Sequence, residues 1–303
     1  MRAVYVGQSQ YFTSCVPPGA DFVDHRGGAD AGPMLRAVRA LEPDVVVVFR
    51  PEIVPAGAFD GLPALTLGFN TEPLPRGTDA HPDQLWRLGE LAQTDTGQFD
   101  RIITFDPLSA QAAHAAGVPV WRSLPLPVAD GLYGEVRPMR HPPRLLFLGY
   151  STDHRERWLM DVKHHFDLLH VAHGVHGQRL HDLFARTDVA INLHVEPYPS
   201  FENRVCLHLA AGHLVLSEPL SPTHGLEPGL DYVECETPRT LVEAIVSLRA
   251  YPGIFDAVRR RGRRKVEQFR ASRVWPRVLA DLGRDVAAFG TQRRKTARTT
   301  RPA

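Results

Sequence analysis

The stretch SFENRVCLHLAAGHLVLSE, Ser200 to Glu218, holds the pattern that decides the fold. It reads as a short polar turn, a compact helix ENRVCLHLAAG stopped by Gly212, and a buried strand HLVLSE. A polar turn, a helix and then an apolar strand make the usual phosphate-facing corner of an α/β domain. The same alternation extends outward on both sides.

Upstream, RLLFLGY, DLLHVA and DVAINLHV read as strands, with HRERWLMDVKHHF and QRLHDLFART as helices between them. Downstream of GLEPGLDYVE come the helices PRTLVEAIVSLRA and PGIFDAVRRRGRRKVEQFRA, and a last helical stretch from Arg273 to about Phe289. The first half repeats the rhythm. RAVYVG, DFVDH, DVVVVF, ALTLGF, RIITF and the short VPVWR are strands. PMLRAVRAL, with Pro33 suited to a helix start, QLWRLGELA and PLSAQAAHAAG are helices. DVVVVF is apolar on both faces, as a buried parallel strand requires. Strand–helix–strand order throughout predicts doubly wound parallel sheets.

The length, 303 residues, suggests two domains of roughly 150 residues each. SLPLPVADGLYGEVRPMRHPP, residues 123–143, is Pro-rich and without periodicity, and reads as the linker between them. The expected division is 1–122, linker 123–143, 144–272, a helix over 273–290, and a disordered basic tail 291–303. A formal net charge of +1 offers no whole-molecule attraction to nucleic acid or membrane. Three scattered cysteines, Cys15, Cys206 and Cys235, suit a reducing cytoplasm. No signal peptide or membrane-spanning run is legible.

From Arg144 to Leu282 the chain resembles GT-B glycosyltransferases of the family-4 type, and more closely the spore-maturation-type glycosyltransferase-like proteins. The pieces that carry the resemblance are RLLFLGYSTDHRERW, LFARTDVAINLHVEPYPSFENRVCLHLAAGHLVLSE and GLEPGLDYVECETPRTLVEAI. The resemblance implies the GT-B fold: two Rossmann-like domains facing across a cleft, with the C-terminal helix crossing back to the first. It implies hexosyl transfer from a nucleotide-diphosphate sugar, UDP among the candidates, to a hydroxyl-bearing acceptor of unspecified kind. No cofactor beyond that donor and no metal is expected. In most such enzymes an acid stands where this chain has Leu207, and an acid stands at Pro199; Phe201 and Arg204 still match motif positions. A catalytically silent binding or scaffold protein of the same fold is the alternative, and a sugar-nucleotide epimerase a weaker one.

The donor diphosphate needs cations and free backbone N–H groups. Asn203 and Arg204 stand in the first turn of the helix after Ser200, with His208 one turn on. Arg204 reads as a bidentate phosphate contact, or as a surface arginine beside a helix capped by Ser200. Glu202 is the first candidate to replace the missing acid, and Glu227 the second. GYSTDHRERW follows the first strand of the second domain, where open α/β sheets place ligands. Gly149 allows close approach of a ligand, and Ser151, Thr152 and Asp153 are caps. The resemblance makes Arg155 a diphosphate contact; a capped, solvated helix with Arg155 and Arg157 in ordinary ion pairs reads equally well. Glu196 and Tyr198, in the loop after DVAINLHV, are further candidates for the sugar or base, and read equally well as structural loop residues.

The resemblance also assigns the acceptor pocket, and any general base, to the first domain. His25, Glu72 and Asp106 lie at strand C-terminal ends, with Glu72 favoured and His25 second. Each also reads as a turn or cap residue. The histidines 164, 165, 170, 173 and 176 lack metal-site spacing. VRRRGRRKVEQFR is foremost a solvated helix face, with a weak peripheral contact to an anionic membrane surface, or a polyanionic acceptor, second.

Overall fold

The apolar runs of the first half pair edge to edge in parallel, because helices cover the faces of the sheet they form. The computed structural model describes residues 1–77 and 79–294. In chain order the first unit contains β1 (Ala3–Gly7), α1 (Ser9–Phe12), β2 (Asp21–Asp24), α2 (Ala31–Ala40), β3 (Val45–Phe49), β4 (Leu65–Asn70), α3 (Pro82–Leu91), β5 (Arg101–Thr104), α4 (Ala110–Ala115) and β6 (Arg122–Ser123). Its six strands lie in the order β2-β1-β3-β4-β5-β6, every pair parallel. The chain runs outward from β1 to β2, returns, and runs the other way from β3. The switch point therefore lies between β1 and β3, and ligands of such sheets bind outside the strand C-termini there.

The second unit contains β7 (Leu145–Leu148), α5 (Asp153–His165), β8 (Leu168–Val171), α6 (Gln178–Ala185), β9 (Val189–Asn192), α7 (Arg204–Ala210), β10 (Leu214–Ser217), β11 (Val233–Glu234), α8 (Pro238–Ala250) and α9 (Asp256–Lys265). Its sheet has the order β11-β10-β9-β7-β8, again all parallel. Its switch point lies between β7 and β9. Leu145, Phe147, Val189, Ile191, Leu214 and Leu216 form the sheet's share of its core, with Leu159, Leu241 and Leu248 packed on them.

The units are not consecutive in sequence. Of the described residues, the first comprises 1–12, 19–124 and those from Trp275 to 294, and the second comprises 13–18 and 125–274. The last helix, α10 (Ala271–Phe289), thus belongs mostly to the first unit. Its Trp275 is fully buried, edge-on to Tyr5 at 5.1 Å, Phe49 at 6.0 Å and Phe69 at 6.2 Å. Arg101 and Arg122 on the first sheet pair with Asp285 and Asp281 of the same helix.

Three sequence expectations meet a different structure. Helix α2 starts at Ala31 rather than at Pro33, because the Asp30 side chain caps it by accepting from the Gly32 amide. The Pro-rich stretch 123–143 does not run free. Val128 is fully buried and its amide donates to Phe269 O, the Ala271 amide donates back to Val128 O, and Tyr133 Oη donates to Val266 O. Gly134 N donates to Ala210 O, beside the Gly212 stop, where a Cβ would come within 2.9 Å of Glu135 O. Proline removed strand and helix periodicity from this stretch, but Val128, Leu132 and Tyr133 still anchor it. Residues 291–294, expected to be disordered, are held: Arg293 donates to Ala64 O and Phe59 O, and Arg294 pairs with Asp95. The remainder of the tail, 295–303, lies outside the described residues.

The strap over 128–133 is closed by charge. Glu267 receives Arg270 and Arg263, and Arg270 lies over the Tyr133 ring at 3.8 Å. The Arg270 hydrogen bonds, with those of Arg263 and against the opposing effect of burial, hold the Glu267 carboxyl down at about 2 from an ordinary 4.5. The folded state thus prefers the ionised form. That stabilisation is complete above about 4.5 and disappears as pH falls toward 2. Across that window the wild type should lose urea stability more steeply than Glu267→Gln; identical slopes would refute the linkage.

Candidate functional site

At the switch point of the second sheet, the strand ends bring two arginines onto one ring. Arg155 Cζ lies 5.4 Å and Arg204 Cζ 5.8 Å from the Phe147 ring centre. Phe147 belongs to β7, Arg155 to α5 and Arg204 to α7. Of the sequence candidates, Gly149, Arg155, Glu202 and Arg204 come together here.

Gly149 ends β7 with φ +151, and a Cβ there would meet Arg155 Nη1 at 3.1 Å. Glycine is needed for the guanidinium to lie under the turn. Arg155 itself is 1 % exposed. Its Nε donates to His194 O at 3.0 Å, Nη1 to Tyr150 O at 3.0 Å and Nη2 to Leu193 O at 3.2 Å. Burial, and then the charge of Arg204, push its guanidinium down to about 10. Arg155 thus knits the β7–α5 turn to the loop after β9, with its donors on backbone carbonyls. Thr152 caps α5 by accepting from Arg155 N, and Ser151 Oγ donates to Glu156 at 2.6 Å.

Arg204 is less engaged. Nε donates to Asn192 Oδ1 at 2.9 Å and Nη2 to Leu193 O at 2.6 Å, while Glu202 pairs with Nη2 at 3.3 Å. Nη1 takes no partner among the described residues. Helix α7 has seven residues and begins at Arg204, with Asn203 at the cap position and making no capping bond. The helix expected to start near Phe201 under a Ser200 cap is therefore shorter. Ser200 Oγ instead contacts His194 Nδ1 at 3.0 Å, a partner across the loop that the local sequence does not reveal. The positive charge at this corner comes from the guanidinium more than from a helix dipole. Asn203 Nδ2 donates to Cys15 Sγ at 3.4 Å, which leaves its Oδ1 buried and unsatisfied. Leu207 is core, at 9 % exposure, and His208 is fully buried against His213 rather than displayed beside Arg204. Burial first, then His213, pushes the His208 imidazole well down from its ordinary value.

The loop after β9 is fixed by an acid that sequence reasoning passed over. Glu218, at the end of β10, is 5 % exposed. Its Oε1 meets His154 Nε2 at 2.8 Å and its Oε2 accepts from His194 N at 2.6 Å. His194 Nε2 faces the Pro219 carbonyl at 2.9 Å. A carbonyl only accepts, so this nitrogen carries the proton and Nδ1 accepts from the Ser200 hydroxyl. Glu218 thus fixes the His194 backbone and Ser200 its ring, beside Asn192 and Leu193, the two residues that hold Arg204 directly. Glu227, by contrast, pairs with Arg261 at 2.6 Å. Also missed was Tyr150, 43 % exposed, whose ring lies over Arg155 Cζ at 5.1 Å and parallel within 18° to His173. The signal was its place directly after a strand-ending glycine.

In the first unit the two base candidates are not brought together. His25 follows β2 and Glu72 follows β4, three strand spacings or about 14 Å apart. His25 is 4 % exposed, its amide donates to Gly7 O, and its Nε2 has no partner among the described residues. Glu72 is committed to Arg87, with Arg50 Nε at 3.7 Å. Asp106 is fully buried, pairs with Arg76 and caps the turn at Leu108 N. The basic run of α9 is largely spent inside the second unit: Arg259 donates to Gly212 O, Arg261 pairs with Glu227, and Arg263 with Glu267. Among the described residues no His, Cys, Asp and Glu grouping could hold a metal ion, and no helix is long and apolar enough to cross a membrane.

No family model matches the chain, and no curated protein matches it. Solved structures do. HepE of Anabaena, crystallised with UDP and glucose, superposes with a TM-score of 0.63 at 11% identity, over 94% of this chain and 100% of that one. Sucrose-phosphate synthase of Thermosynechococcus elongatus gives 0.59 at 12% identity, over 95% and 100%. The pneumococcal O-GlcNAc transferase GtfA, with UDP and GlcNAc, gives 0.53 at 10% identity, over 83% and 59%. At these identities the likeness establishes the fold: two parallel-sheet α/β units of the GT-B type.

Proposed function

We propose that this protein is a glycosyltransferase that moves a hexose from a nucleotide-diphosphate sugar, with UDP the first candidate, to a hydroxyl-bearing acceptor. In finer terms, we place it with the family-4 type, near the spore-maturation-type proteins. The observation that carries the reading is Arg204. It stands at the switch point of the second sheet, anchored on Asn192 and Leu193 and paired with Glu202, with Nη1 unengaged among the described residues. As the acceptor oxygen bonds to the anomeric carbon, its proton passes to a base, the bond to the diphosphate oxygen breaks and that bond's electron pair stays on the diphosphate. Arg204 would neutralise that charge without a metal. Gly149 and Tyr150 would face the same ligand, with the Tyr150–His173 stack as a surface for the base. That HepE was solved with UDP and with UDP-glucose supports the choice of nucleotide. The free, buried cysteines support a reducing compartment, which we take to be the cytoplasm.

A screen of UDP, GDP, ADP and dTDP by thermal shift tests the reading. At a hundred times the dissociation constant a ligand adds about 2.7 kcal/mol, a shift of several degrees. One of the four should give it, with or without EDTA; four flat traces would defeat the proposal. A silent binding module is the second reading, favoured by the full engagement of Arg155 on carbonyls. It predicts the same shift but no hydrolysis of UDP-sugars in the absence of acceptor.

A further inference from the structure

We infer that the first unit carries a polyol subsite at the C-terminal ends of β3 and β4, formed by Arg50, Glu52 and Thr71. It rests on the transferase reading only in naming the polyol as the acceptor.

The place is the C-terminal edge of the first sheet, one strand along from the switch point between β1 and β3. Arg50 is the first residue after β3 and has φ +64 and ψ 78, a left-handed conformation that glycine adopts freely and arginine does not. It is pinned there, since its amide donates to Phe69 O at 2.9 Å. The bend turns Pro51–Ile53 back over β4, where a Cβ on Gly68 would meet Pro51 Cβ at 3.1 Å. Non-glycine residues held in such conformations gather at binding and catalytic sites.

The bend brings two carboxylates to one nitrogen. Arg50 Nε donates to Glu52 Oε1 at 2.7 Å and lies 3.7 Å from Glu72 Oε1. Glu72 also has Arg87. Glu52 has no second cation among the described residues: its side chain is 6 % exposed and its Oε2 is buried without a partner. Thr71 Oγ1, next to Glu72 in the chain, is likewise buried and unpaired. Buried oxygens of this kind are rare because each lacks a donor it had in water. Two of them at adjacent strand ends call for a ligand that supplies hydrogen-bond donors.

Charge selects the class. An anion would face Glu52 and Glu72, and an ammonium would face Arg50 and Arg87. A neutral group with several O–H donors satisfies both orphan oxygens with no charge penalty, and sugar hydroxyls fit that description. Glu72, the favoured sequence candidate, has its oxygens on arginines; Glu52, in the RPE run after DVVVVF, is the acid with a free lone pair.

The test is titration by NMR with the methyl glycosides of glucose, galactose, mannose and N-acetylglucosamine, with UDP titrated in parallel. At least one glycoside should bind. Glu52→Gln should weaken it roughly tenfold and Thr71→Val several-fold, since each removes an acceptor of a ligand hydroxyl, while UDP affinity stays unchanged. If UDP binds and no glycoside does, the subsite is wrong and the transferase reading stands. If UDP does not bind, that reading fails first, and glycoside binding alone decides the subsite. If a glycoside binds both variants as it binds the wild type, these residues are not its site. Should Glu52→Gln fail to fold, Thr71→Val decides alone.

Discussion

Replacing Arg204 by alanine weakens UDP binding by roughly one to two orders of magnitude, as expected for loss of a charge-assisted contact from Nη1 to phosphate. Arg204→Lys keeps the charge but not the planar guanidinium that Asn192 and Leu193 anchor, so its affinity falls between the two. The measurement is calorimetric titration of folded protein. Equal affinities of wild type and Arg204→Ala would show that the corner between β7 and β9 is not the diphosphate site. The side chain also holds Asn192 Oδ1 and Leu193 O, so a loss of stability of about 1–3 kcal/mol should accompany the variant. Melting curves separate that from the loss of ligand.

Replacing Arg155 by alanine has a different signature. It orphans the carbonyls of Tyr150 and His194, leaves Leu193 O to Arg204 alone, and opens a cavity where a side chain 1 % exposed had been. Each orphaned buried carbonyl costs about 1–3 kcal/mol and the cavity adds to that, so a loss of a few kcal/mol is expected. Arg155→Lys should not rescue it, because one ammonium cannot reach carbonyls on both sides of the turn. The expected result is an early urea transition of the second unit. A variant with unchanged stability and abolished UDP binding would return Arg155 to the ligand-contact role that the sequence resemblance implied.

The contrast between the two arginines marks how far residue patterns reach. DVVVVF, RLLFLG and HLVLSE were legible as strands because parallel strands are buried on both faces and show it as unbroken apolar runs. Gly212 was legible as a helix stop; its φ is +80. The start of α7 was not, because Ser200 has a partner, His194, that only the fold brings near. Arg155 and Arg204 look alike in sequence, each near a helix start after a strand. Which one keeps a free nitrogen depends on carbonyls from a loop some 40 positions away in sequence for Arg155 and only about ten for Arg204. Glu218 and Glu52 were hidden for the same reason. One ends a strand and the other follows a proline, and neither sits in a periodic run. Their burial is a property of neighbours, and a carboxylate with or without a partner reads the same in one letter.

Trp275 carries a consequence for how the chain is made. A ribosome that has finished residue 124 has emitted every strand of the first sheet, yet the indole that packs on Tyr5, Phe49 and Phe69 is still 151 codons away. Residues 13–18 meanwhile wait for the second unit to which they belong. Vectorial synthesis therefore cannot complete the N-terminal body first, as it does for beads on a string. The aromatic face of the first sheet stays open to water, and to chaperones, until α10 arrives.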